Sequence, residues 1–298
     1  MHIRFGYEIV IGCPNPVVMF LALSTHPEGE PPITGQNWVQ VEPFVPSHYF
    51  VDQFGNRITK IIVPTGETRL WLDCVAEVDG LPDPVVPDAW QAAVGDLPFE
   101  TLQFLLPSRY CDSDKLYDEA WSRFGAGPEG WGRVQAICDF VHNHLTFGYQ
   151  FGRSTKTASE CFVEKTGVCR DFAHLAISLC RAMNIPARYA SGYIGDTGIA
   201  PAGAPGDFCA WFEAYLGGRW YTFDARYNTP RTGRIVMVRG NDASNVAMIT
   251  SFGDYQLTLF RVWTEQIGAG AAAAMPMGGF ASLPDAPPLV SNSSGRLI

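Results

Sequence analysis

Basic residues are scarce in this sequence. Against 30 Asp and Glu there are 21 Lys and Arg, a formal net charge of -9, and no Lys/Arg-rich cluster offsets that average. A surface of this sign repels a phosphate backbone, so nucleic acid is excluded as an expected partner. Also missing is any apolar run long enough to cross a membrane. The N-terminus lacks the basic start and apolar stretch of a secretory signal. Its first residues, Met1 to Val10, alternate as a strand does. Eight cysteines in 298 residues are too few for a disulfide scaffold. With no export signal, a cytoplasmic location with free thiols is expected. No internal repeat occurs. Histidine is the last shortage: it occurs as His2, His26, His48, His142, His144 and His174, and nowhere after 174.

What is present suits a folded protein. Hydrophobic residues make up 47% and charged residues 17%, enough apolar material for one large domain or two ordinary ones. Residues 1–110 read as β-rich. His48–Val51, Lys60–Val63 and Thr68–Val78 are strand-like, with a Gly/Asn turn at Asp52–Asn56 between the first two. Pro82–Pro87 is a connector, because proline cannot sit in a central strand. From Ser113 the texture turns helical, over Ser113–Trp121 and again over Gly130–Asn143. The strongest helix covers 169–184, where Phe172, Leu175, Ala176, Leu179, Cys180 and Met183 repeat as a buried stripe. Tyr189–Tyr193 follows as a strand. Residues 268–298, with an Ala run and Pro287-Pro288, have the composition of a flexible tail.

Cys169 opens the strongest helix. The helix dipole and the unpaired N–H groups at such a terminus favour thiolate, the nucleophilic form, and can receive an oxyanion. Taken alone, a cysteine there is more often a small core residue. A second element gives it company. Gly217-Gly218 marks a two-residue hairpin turn, which sets Leu216 opposite Arg219, Trp211 opposite Asp224 and Cys209 opposite Arg226. Alternation then places Cys209, Trp211, Glu213, Thr222, Asp224 and Arg226 on one face. Phe208, Ala210, Phe212, Ala214, Leu216, Tyr221 and Phe223 fall on the other, as core.

Gly167-Val168-Cys169-Arg170-Asp171-Phe172-Ala173-His174-Leu175 and Ile185–Tyr193 resemble the nucleophile segment of bacterial transglutaminase-like proteins, a group related to cysteine proteases. Asp207–Tyr215 and Trp220–Asp224 are similar to that family's histidine and aspartate segments, and Tyr49, Asp52 and Gly55-Asn56 to its β-rich N-terminal region. The resemblance implies an α+β, papain-like core at 113–262, with the cysteine helix packed on an antiparallel sheet, preceded by the β-rich domain. It also implies acyl chemistry on peptide or isopeptide amides. Cys169 would be the nucleophile and Asp224 the orienting carboxylate, with Arg170 and Trp211 at the cleft. Where complete members read His-Ala-Trp, this chain reads Cys209-Ala210-Trp211. No metal or cofactor is expected, and the partner is a protein or peptide substrate. Three readings stay open: a cysteine hydrolase or acyltransferase whose base comes from water or from His142 or His144, a scaffold that has lost the chemistry, or a redox-gated pair of Cys169 and Cys209. A zinc site at the two cysteines and Asp224 is disfavoured, because no ligand spacing supports it.

Overall fold

The computed structural model describes residues 1–195 and 206–268, together with the backbone at 296–297. The proposed flexible tail therefore lies almost wholly outside the described residues. In chain order the strands are β1 (His2–Cys13), β2 (Val17–Leu21), β3 (Ile33–Thr34), β4 (Gln40–Glu42), β5 (His48–Val51), β6 (Arg57–Val63), β7 (Gly66–Glu77), β8 (Thr146–Phe147), β9 (Thr166–Gly167), β10 (Ala187–Tyr193), β11 (Cys209–Leu216), β12 (Arg219–Phe223), β13 (Ile235–Gly240), β14 (Ile249–Ser251), β15 (Gln256–Ile267) and β16 (Arg296–Leu297). The α-helices are α1 (Phe99–Leu102), α2 (Tyr117–Phe124), α3 (Trp131–His144), α4 (Ala158–Glu164) and α5 (Cys169–Ala182). Among the described residues no helix is long and apolar enough to cross a membrane.

Two sheets dominate the N-terminal region, ordered β15-β1-β7-β3, with β4 also on β7, and β16-β14-β2-β6-β5. β1 shows the expected alternation, with Ile3, Phe5, Tyr7, Ile9 and Ile11 all buried. Both sheets are finished by strands from the far end of the chain. β15 runs antiparallel along nearly all of β1, and β14 pairs with β2. The N-terminal β-region and the strands after residue 248 thus form one continuous unit.

Between these ends lies the four-stranded sheet β12-β11-β10-β13, with α5 packed across β11 and β10. The whole of α5 after Cys169 is buried, because its apolar stripe meets the core face of β11 and α3 covers another side. The segment 113–116, expected as the start of a helix, is a 3-10 turn that leads into α2.

The N-terminal motif docks onto this central sheet. Asp52 Oδ1 accepts the N–H groups of Phe54 and Asn56, which closes the Gly/Asn turn. That holds Asn56, fully buried, against β13. Its Nδ2 donates to the Arg239 carbonyl at 2.7 Å, and its Oδ1 accepts the Arg239 N–H at 2.8 Å.

Candidate active site

The hairpin register is as the two-glycine turn dictates. Leu216 pairs with Arg219, Ala214 with Tyr221 and Phe212 with Phe223. Gly217 and Gly218 both have positive φ, at 53° and 87°, which a two-residue turn of this type requires. The faces divide accordingly. Phe208, Ala210, Phe212, Ala214, Leu216, Tyr221 and Phe223 belong to the main core, whereas Cys209 and Trp211 form a small separate cluster with Ala190.

Cys169 is the first residue of α5 and is half-buried. The start of this helix is built by its neighbours. Asp171, three residues after Val168, accepts the Val168 N–H at 3.0 Å and is paired with Arg170 at 3.2 Å. Arg170 also donates to the Arg153 carbonyl at 2.6 Å. Gly167 leaves room for this carboxylate, because a Cβ there would lie 2.6 Å from the Asp171 Cβ. Gly167→Ala is therefore expected to displace Asp171 and lower stability by about 1–3 kcal/mol, read as a drop in thermal midpoint against wild type. An unchanged midpoint would show that the helix start tolerates the extra methyl.

Around the Cys169 sulfur, burial dominates and pushes the thiol above its ordinary pKa. The charge of Asp207 adds to the rise, while Arg226, the Ala210 N–H donating to the sulfur, and Arg170 oppose it. The resting group is thus a thiol rather than a thiolate, despite its place at a helix N-terminus. Cys209 lies beside it, paired across the ladder with Gly192 and 8% exposed. Burial and the neighbouring Cys169 push the Cys209 thiol far above its usual range. With its thiol held protonated, Cys209 supplies no base to Cys169. Both cysteines are free. Among the described residues no cluster of three or more metal-ligating side chains occurs.

The Asp224 carboxylate acts on the Cys209 thiol only through its charge and takes its hydrogen bonds elsewhere. Its Oδ1 accepts the N–H groups of Arg226 and Tyr227 at 3.0 Å each, and its Oδ2 binds Arg234 at 3.0 Å. The carboxylate shapes the turn that presents Arg226. Trp211 is 1% exposed, with the Arg234 guanidinium over its ring, and the Arg170 side chain is buried on Asp171; neither lines an open cleft. The other two histidines considered as bases have structural partners. His142 Nδ1 donates to the Arg226 carbonyl at 2.8 Å. His144 stacks between Phe140 and Phe162 and donates from Nε2 to the Phe162 carbonyl at 2.8 Å. His174 is buried against Tyr110 and held neutral by desolvation, its Nε2 accepting the Ala243 N–H at 3.1 Å.

Three side chains of the site do not stand out in the sequence. Arg226 stacks its guanidinium over Phe147 at 3.7 Å and interacts with both Cys169 and Cys209. Tyr149, 46% exposed, follows β8 and senses Asp207, Arg226 and both cysteines. Asp207 is half-buried just before β11, and burial pushes its carboxyl up to about 6. The observed ladder stops at Phe212 and Phe223, and Arg226 lies in the turn beyond it; the hairpin pattern that sets 226 opposite 209 is the signal the sequence carries for it. Tyr149 and Asp207 come from loops that only the folded chain brings together. A cavity of about 790 Å³ lies elsewhere, lined by Trp38, Tyr49, Phe50 and Arg57 among others, and holds none of these groups.

Residues 122–225 match the model of the transglutaminase-like superfamily. The chain is 27% identical over 220 residues to an uncharacterized protein of Mycobacterium leprae, covering 71% of this chain and 77% of that one. It is also similar to the crystal structure of a putative cysteine protease from Cytophaga hutchinsonii, with 27% identity and a TM-score of 0.76 over 99% of this chain and 96% of the other. The fold is transglutaminase-like, of mixed α and β structure, with a β-rich N-terminal region.

Proposed function

We propose that this chain, with its transglutaminase-like domain at 122–225, is a cysteine hydrolase or acyltransferase that attacks peptide or isopeptide carbonyls through Cys169. The observation that carries the reading is the setting of one sulfur. Cys169 is half-buried at the start of α5, receives the Ala210 N–H and faces the fixed positive charge of Arg226. In the reaction Sγ bonds to the carbonyl carbon, and the bond from that carbon to the leaving group breaks. Water or an amine then takes the acyl group from sulfur. The developing oxyanion would find the N–H groups of Cys169 and Arg170 at the start of α5, the next two, of Asp171 and Phe172, already donating to the Val168 carbonyl. Arg226 supports a thiolate as it forms but, always protonated, gives no proton to a leaving amine. Acyl donors with good leaving groups, such as thioesters and activated esters, are thus expected to react faster than amides.

The redox reading of Cys169 and Cys209 has less support. Thiol–disulfide exchange runs through thiolate, and the Cys209 thiol is held far from ionisation. Mixing the full chain with p-nitrophenyl acetate tests the acyl reading. A burst of p-nitrophenolate equal to the enzyme is expected, with one acetyl group on the peptide that carries Cys169. Acetylation elsewhere, or none, would favour a scaffold that has lost the chemistry.

A further inference from the structure

The proton on Cys169 has to go somewhere, and position 209 offers no imidazole. The titratable and charged groups facing this sulfur come from several elements. Tyr149 comes from the turn after β8, Tyr189 from β10, Asp207 and Cys209 from the entry to β11, Arg226 from the turn after β12, and Arg170 from α5 itself. Arg226 and Arg170 are cations, and Arg170 is already bound to Asp171. Tyr149, Tyr189 and Cys209 are all held above their ordinary pKa and are protonated at neutral pH. Among the described residues, Asp207 is the group there that can accept a proton.

Its placement is built into the fold. Phe208 and Ala210 point into the main core while Cys209 points to the opposite side, so alternation sends Asp207 to the side of Cys209. The chain is pinned immediately before it, because a Cβ on Gly206 would lie 1.9 Å from the Val262 carbonyl oxygen of β15. β11 itself is an interior strand between β10 and β12.

Resting on the acyl-transfer reading, we propose that Asp207 takes the proton from Cys169 Sγ during attack and returns it to the leaving group, so that an aspartate two residues upstream does the work of the missing histidine. In acylation the S–H proton passes to the Asp207 carboxylate, the S–C bond forms, the bond to the leaving group breaks, and the carboxylic acid protonates the departing atom. In deacylation the same carboxylate takes a proton from water, the hydroxyl bonds to the acyl carbon, and Sγ leaves and recovers its proton. The charge balance of the site suits this. Burial raises the Asp207 carboxyl to about 6, while the Phe208 N–H and Arg226 hold it from rising further. It is therefore ionised at pH 7 yet still acidic enough to give the proton back.

The test uses the full-length protein and two acetyl esters, p-nitrophenyl acetate, whose leaving group needs no proton, and trifluoroethyl acetate, whose leaving group does. The rate of Cys169 acetylation is followed from pH 4.5 to 9. Wild type is expected to show a limb rising with pH through about 6 for both esters. Asp207→Asn should lose that limb and acetylate about 10²–10³-fold more slowly with trifluoroethyl acetate, with a smaller loss for p-nitrophenyl acetate. Asp207→Glu should recover part of the limb. Asparagine keeps an acceptor for the Phe208 N–H and removes a half-buried charge, so the variant should melt no lower than wild type at pH 7. Iodoacetamide labelling of its Cys169 checks that the sulfur is still accessible. Equal loss for both esters, or an unchanged limb in the variant, would overturn the role of Asp207 and leave the acyl reading standing. If wild-type Cys169 takes acetyl from neither ester, the acyl reading and this inference fall together.

Discussion

Cys169→Ala is expected to lower turnover of p-nitrophenyl acetate and of thioesters on the order of 10³-fold or more, because no other nucleophile among the described residues near the start of α5 is poised to form the acyl intermediate. The only other thiol there, Cys209, is 8% exposed and pushed strongly toward its protonated form. Cys169→Ser should fall nearly as far. A serine hydroxyl is much harder to deprotonate than a thiol, and the site has no imidazole to help it. A carboxylate with a pKa of about 6, as at Asp207, can assist a thiol but is a poor match for an alcohol. Steady-state kinetics of both variants, with folding checked by circular dichroism, gives the answer. Activity within tenfold of wild type in either variant would mean that the chemistry does not pass through this sulfur.

Glu213→Ala should produce the largest loss of stability, about 3–5 kcal/mol, because it strips a buried carboxylate from two buried guanidinium groups. Glu213 is 4% exposed. Its Oε2 accepts Arg188 Nε at 2.5 Å and Arg239 Nε at 2.9 Å, and its Oε1 accepts Arg239 Nη2 at 3.0 Å. Arg239 also reaches His26 and Glu28, and its backbone carries Asn56, so the cluster ties the N-terminal region to the central sheet. Without the carboxylate two positive charges face each other out of water. Thermal melting should move down on the order of 10 °C for a loss of this size. Glu213→Gln, which keeps one acceptor oxygen, should lose less. The carboxyl is held below its ordinary pKa by Arg188 and Arg239 against the opposing effect of burial. Its contribution is therefore complete above the unfolded carboxylate pKa and disappears as pH falls through the lower folded value. Wild type should lose more stability than Glu213→Gln on acidification below about pH 4. A Glu213→Ala melt within 2 °C of wild type, a margin of roughly 1 kcal/mol or less, would show that the two arginines find other partners.

Much of this architecture was legible in the chain. Period-2 alternation of apolar residues in the sequence exposed β1 and β7, and two adjacent glycines set the register of the β11–β12 hairpin. A three-four stripe located α5 and put Cys169 at its first turn. Such signals are local, because a pleat or a helical turn repeats within a few residues. The return of β14 and β15 to the first two sheets was not legible, since pairing partners some 250 positions apart leave no periodic trace. The capped helix α4 was passed over as well, although Thr157 and Glu160 form a capping box at its start.

The site divides along the same line. The sequence by itself determined that Cys169 starts a buried helix and that the β11–β12 hairpin turns at its two glycines, with Cys209 and Trp211 facing away from the main core. Only the tertiary structure decided how those groups are charged and paired. Burial makes Cys169 a resting thiol and silences Cys209, because removing a thiolate from water outweighs the helix dipole and one nearby arginine. Asp224 turned out to hold Arg234 and the turn bearing Arg226, while Asp207, Arg226 and Tyr149 converged on the sulfur from separate segments. Charge and desolvation depend on what surrounds a group in three dimensions, and side-chain spacing along a strand carries no record of either.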